Sequence, residues 1–284
     1  IISLKTLGTK SSVINKKFTS FGQAMENLES NGVALNVASF LGAATTRILE
    51  VGYDNRPATD GEMERMRVHV KNAMEEGAMG IGSSLIYAPG DYASTEELIE
   101  LCKVASNYGG MYISHIRNED SKVMSALEEL IRISKEADIP SEIYHLKSSR
   151  KPNWSKIDDI IKRVEEVRGQ GLKITADIYT YNASSTGLTG VIPTWVQEGG
   201  HRAWIERMKD PNIRPRLLKD IRKELSEQPP EGILMVGFKT SEMSKKYLSK
   251  TVAEAAKMRG QSPEEAIVDM VIEDDNRIQC IYFS

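Results

Sequence analysis

Short β-rich runs alternate with amphipathic runs of a dozen or more residues along most of this chain, and that alternation limits it to repeated βα units around a parallel sheet. Residues 33–40 (VALNVASF) read as a strand, 62–76 as a helix with Met63, Met66, Val70 and Ala73 on one side, and 79–83 (MGIGS) as the next strand. Ser94 and Glu97 make a capping box for a helix over 95–108, which Gly109 and Gly110 stop before the strand 111–115 (MYISH). A helix over 121–137, a strand over 141–146 (SEIYHL), a helix over 154–168 and an extended run over 172–177 (LKITAD) continue the rhythm.

From 184 to 231 the rhythm breaks around Pro193, Pro211, Pro215, Pro229 and Pro230, and two charged helical stretches read as an inserted helical region, a lid or cap. The pattern resumes with 232–238 (GILMVGF), a helix opened by the capping pair Ser262 and Glu265, and a last strand over 278–283. About seven strands and no closing eighth point to a (β/α)8 barrel incomplete at both ends. Its barrel units occupy 1–183, the insertion 184–231 and the barrel continuation 232–284. An open doubly wound sheet also fits alternating units, but Gly80-Ile81-Gly82 lacks the third glycine of a phosphate-binding turn.

The chain has 284 residues, 37 basic and 40 acidic, for a net charge of −3. Charges of both signs are interspersed, so no nucleic acid or anionic membrane is expected as a partner, and a small molecule is. No apolar run approaches the ~20 residues that cross a bilayer. The first ten residues show no signal pattern, which makes the cytoplasm the expected compartment, although the chain starts without Met. Cys102 and Cys280 lie in apolar surroundings and are expected in the core.

Catalytic groups of such barrels project from the C-terminal ends of strands. His115 ends MYISH and His145 ends EIYH, and imidazole is a common nitrogen ligand for zinc. The bland alternative is a hydrogen-bonded histidine at each loop start. His69, inside an amphipathic helix, and His201, in the polar insertion, have no ligand-like placement and are expected to be structural or surface residues.

The runs EGAMGIGSSLIYAPG, YASTEELIELCKVASNYGGMYISHIRNE, IPSEIYHLK, LKITADIYTY and SSTGLTGVIPTWVQEGG resemble the central part of N-acyl-D-amino-acid deacylases, the D-aminoacylase branch of the amidohydrolase superfamily. The resemblance implies a zinc-dependent hydrolase that removes an acyl group from the nitrogen of a D-amino acid. It makes His115 and His145 metal ligands at the ends of the fifth and sixth barrel strands. Lys147 matches the lysine that holds the substrate carboxylate, a role that suits a point charge on a flexible stem. Tyr87, Tyr179 and Ser185 match pocket residues, with Tyr181 as the alternative to Tyr179 because side chains alternate along an extended run. Arg117 follows His115 in a family-like HIRNE loop and is either a substrate-binding residue or the partner of Glu119 or Asp120.

The resemblance also implies parts that this chain lacks. The family's proton-shuttling Asp would fall beyond Ser284, no His-x-His occurs in the sequence, and Ala43 stands where the family often has histidine. No catalytic residue is assigned; Asp177 in ITADIY passes for a strand-end acid but matches a different family position. With two ligands, zinc is expected in the complete enzyme and not tightly in this chain alone, since stable sites take three protein ligands or more. The competing readings are a cyclic-amide hydrolase of the dihydroorotase or hydantoinase kind, and a metal-free, barrel-derived binding protein. The sequence is silent on the oligomer.

Overall fold

The computed structural model describes residues 18–275 and 278–283. The opening segment weighed as a signal, residues 1–10, lies outside them. The chain divides into two compact units.

The first unit holds α1 (Phe21–Asn31), β1 (Leu41–Gly42), α2 (Ala43–Glu50), α3 (Asp60–Glu75), β2 (Gly80–Ser84), α4 (Thr95–Asn107), β3 (Met111–His115), α5 (Val123–Glu136), β4 (Ser141–Ile143), α6 (Ile157–Gly169) and β5 (Ile174–Ala176). Its five strands run parallel in the order β1-β2-β3-β4-β5. This is the expected α/β architecture with each strand beside its sequence neighbour. The sheet is open, with β1 and β5 as its edges, so no cylinder closes among the described residues of this unit.

Alternation along β3 sets the geometry. Tyr112 and Ser114 are buried under the helices, while Met111, Ile113 and His115 face the opposite side. Leu98, Leu101 and Cys102 of α4 and Leu127, Leu130 and Ile133 of α5 are fully or almost fully buried, a helix-on-sheet core formed by one stripe of each helix. Gly80 adopts φ +146°, and a Cβ there would stand 1.8 Å from the Met111 carbonyl oxygen, so only glycine lets β2 start against β3.

Two local expectations change. Residues 33–40 are not a strand: positions 33–38 are exposed, Leu35 to 79%, and the ladder begins only where Met79 N–H meets Ser39 O at 2.9 Å. Alternating apolar residues need a paired edge and a covered face to become a strand, and this stretch has neither among the described residues. The box at α4 forms by half. Ser94 Oγ accepts from Glu97 N–H at 3.1 Å, but the Glu97 carboxylate turns to Arg47 Nη1 at 2.5 Å. At Ser262 and Glu265 both halves form.

The second unit contains β6 (Ala183–Gly187), α7 (Gly200–Lys209), α8 (Arg214–Leu225), β7 (Ile233–Gly237), α9 (Ser241–Tyr247), α10 (Val252–Arg259), α11 (Pro263–Asp274) and β8 (Gln279–Phe283). Its sheet runs β6-β8-β7 and is antiparallel, so 232–238 and 278–283 pair with each other and do not extend the parallel series. The period-2 pattern gives strands but not their partners; here Cys280 sits between Thr186 and Met235. Trp204 and Met208 of α7, Leu217 and Ile221 of α8, and Ile267 and Val271 of α11 form its core. Both cysteines are buried free thiols, as expected. Among the described residues no helix is long and apolar enough to cross a membrane.

Candidate metal centre

β2 and β3 end level, with Ser84 opposite His115, and the His115 carbonyl accepts the Leu85 N–H at 3.0 Å. His115 therefore leaves the sheet with its backbone fixed. The loop that follows is built by Asn118, whose Oδ1 accepts from Asp120 N–H at 3.1 Å and Lys122 N–H at 2.7 Å, an Asx turn into α5. Arg117 ties the same loop down. Its guanidinium donates to Glu129 at 2.8 Å, to Asp91 O at 2.8 Å and to Ala93 O at 2.9 Å. Glu129, on α5, is thus the carboxylate partner of Arg117, in place of Glu119 or Asp120. Glu119 instead turns its carboxylate back toward the strand ends.

On the neighbouring strand, Tyr144 N–H reaches Ser114 O at 2.9 Å, after which His145 takes φ +41°. The two imidazoles meet edge-on with ring centroids 4.5 Å apart. Glu119 spans them. Its Oε2 is 3.5 Å from His115 Nε2 and its Oε1 is 3.1 Å from His145 Nδ1. The three side chains are 11%, 13% and 18% exposed, shielded enough to strengthen their interactions yet open to a small solute.

Two nitrogens and a carboxylate oxygen, all within 4.8 Å of one another, are a donor set for zinc. Each carboxylate oxygen of Glu119 faces one imidazole nitrogen, at 3.5 and 3.1 Å, so the acid stands between the two rings. Glu119 thus adds a third candidate donor to the two histidines expected from the sequence. The signal for it was the four-residue spacing of His115 and Glu119 across a strand end.

Tyr87 stands beside this group, its ring edge-on to His115 with centroids 5.7 Å apart. Asp177, weighed as a strand-end acid, directs its carboxylate at the His145 amide. Lys147, Tyr179 and Ser185 belong to the second unit. There Lys147 Nζ lies 5.3 Å from the Tyr179 ring centroid, Ser185 Oγ donates to Cys280 O at 3.2 Å, and Tyr181 is 79% exposed. Of the pair, Tyr179 is the tyrosine that packs against the lysine.

The remaining histidines serve other ends. His69 Nε2 pairs with Glu50 at 2.7 Å; His201 Nε2 pairs with Asp275 at 2.8 Å while its Nδ1 accepts from Trp204. Burial pushes the Cys280 thiol up to about 12 and Cys102 higher still, so neither offers a thiolate at neutral pH.

No protein-family model matches the chain. It is similar to the D-aminoacylase of Alcaligenes xylosoxydans xylosoxydans, 35% identical over 172 residues that make up 61% of this chain and 35% of that protein. Among solved structures it resembles a D-aminoacylase described for its binuclear metal centre, with 26% identity and a TM-score of 0.73 over 94% of this chain and 47% of that one. The N-acyl-D-glutamate deacylase of Bordetella bronchiseptica, solved with zinc and a phosphonate inhibitor, shares the fold at 24% identity and a TM-score of 0.74 over the same shares. The chain spans about a third of the length of the curated relatives it matches.

Proposed function

We propose, from the premise that this chain is a partial-length relative of the N-acyl-D-amino-acid deacylases of the amidohydrolase superfamily, that it carries part of a zinc-dependent centre hydrolysing the amide bond of N-acyl-D-amino acids. The observation that carries this is the convergence of His115, Glu119 and His145 at the ends of two adjacent parallel strands. These three side chains would hold the zinc. When bound, zinc supplies Lewis-acid polarisation of the scissile carbonyl.

The chain's own residues do the rest of the work proposed here. Tyr87, edge-on to His115, offers an apolar ring and a hydroxyl to the acyl group. Lys147 is assigned to the substrate carboxylate, with Tyr179 and Ser185 as further pocket residues; this assignment stands on the resemblance. Arg117 orders the loop that presents Glu119, and its ties to Glu129, Asp91 and Ala93 support that role over direct contact with substrate. Within this reading 1–183 holds the barrel units and 184–231, which contains most of β6 together with α7 and α8, is an insertion, while 232–284 contributes the antiparallel strands β7 and β8. The cytoplasm is the proposed compartment, in keeping with two free thiols.

The test is hydrolysis by the zinc-loaded full-length protein of acetyl-D-amino acids against hydantoins. Turnover of the D-acyl substrates, lost in Lys147→Ala, is expected. Ring opening of hydantoins without deacylation would establish the cyclic-amide reading instead, and a purified protein that takes up no zinc would establish the metal-free one.

A further inference from the structure

We infer that Asp177 is the positioning residue for His145: its carboxylate holds the backbone turn that carries this imidazole to the face of the sheet where His115 and Glu119 stand. The inference rests on the metal reading above.

Parity makes the turn necessary. Ser114 is opposite Ile143 in the β3–β4 register, and both are buried on the helix-covered face. Side chains two apart on a strand share a face, so an extended His145 would follow Ile143 under the helices, on the side opposite to His115. His145 avoids this by leaving the extended region for φ +41°, a conformation that L side chains seldom adopt.

What holds it there is visible in the ladder. β4 and β5 pair in register through Ile143 and Ala176, and Asp177 N–H still reaches Ile143 O at 3.2 Å. At the next step the backbone of β5 is replaced by a side chain. The His145 N–H donates to Asp177 Oδ1, and Leu146 N–H then returns to Asp177 O at 2.8 Å. One residue thus brackets the turn from both sides, through its carboxylate and its carbonyl. The carboxylate thereby acts as a backbone acceptor at the turn.

The experiment compares the natural full-length protein with Asp177→Asn, which keeps a carbonyl acceptor, and Asp177→Leu, of similar size without one. Zinc affinity is measured by competition with a chromogenic chelator, and amide exchange at His145 by NMR. The asparagine variant is expected to bind zinc within about threefold of the natural protein, and the leucine variant roughly 10–100-fold more weakly, the usual cost of losing a group that orients a ligand. The His145 amide should exchange slowly in the natural and asparagine proteins.

Equal zinc affinity in Asp177→Leu overturns the inference alone, as does an unprotected His145 amide in the natural protein. Should the leucine variant fail to fold, the asparagine variant decides. A tenfold loss there means that charge and not acceptance matters, which also overturns it. A natural protein that binds no zinc removes the metal reading and this inference together.

Discussion

His115 and Glu119 are four residues apart across a loop, yet Nε2 of one and Oε2 of the other approach to 3.5 Å while the second carboxylate oxygen reaches His145 Nδ1 at 3.1 Å. A single acid therefore bridges the ends of two strands. Glu119→Gln keeps the shape and removes the charge, and an amide nitrogen is a poor ligand for zinc. Zinc affinity is expected to fall ~10-fold or more, read by chelator competition. Undiminished affinity would reduce Glu119 to a hydrogen-bond partner of the two imidazoles.

Arg47 and Glu97 make a second, purely structural pair. Arg47 is fully buried, Glu97 is 6% exposed, and their atoms meet at 2.5 Å. Burial raises the Glu97 carboxyl while Arg47 works against that rise. Removing one partner of a buried pair leaves an uncompensated charge, so Glu97→Leu is expected to destabilise by about 3–5 kcal/mol in urea unfolding. Arg47→Met with Glu97→Leu should recover a good part of that loss. A double variant no more stable than the single would show that the pair's geometry and not its charge is what the fold needs.

The parallel half of the fold was legible because its strands and helices are each specified locally: Ser94, Gly109 and the MYISH run fix one unit without reference to any other. The antiparallel pairing of Ile233–Gly237 with Gln279–Phe283 was not, since nothing within either run names its partner. The two histidines could be found as strand ends. The spacing of Glu119 from His115 is visible in the sequence, but its aim depends on the loop that Asn118 builds, and the role of Asp177 depends on a turn that carries His145 against strand parity.

Cys102 and Cys280 should be chemically silent. Burial pushes both thiols up, Cys280 to about 12, so the thiolate fraction at neutral pH is negligible and access is closed. A disulfide-exchange reagent is expected to titrate neither thiol in the folded protein and both after denaturation. Rapid modification of Cys102 in folded protein would mean that α4 opens locally or packs differently.

The acid limb of the stability curve should report on Glu62. The Arg56 guanidinium, at 2.7 and 2.8 Å, and then the Thr59 amide, at 2.7 Å, hold its carboxyl well below the usual carboxylate range. With the folded value depressed, this stabilisation is fully present above the ordinary value of 4.5 and is lost as pH falls below it, because the unfolded chain then binds the proton first. Glu62→Gln removes the titration while leaving a shape that still reaches the Thr59 amide. The natural protein's melting temperature is therefore expected to fall more steeply than the variant's between about pH 5 and pH 2, and the gap to narrow in ~1 M salt. Parallel acid limbs would place the capping box and its arginine outside the cooperative unit that melts.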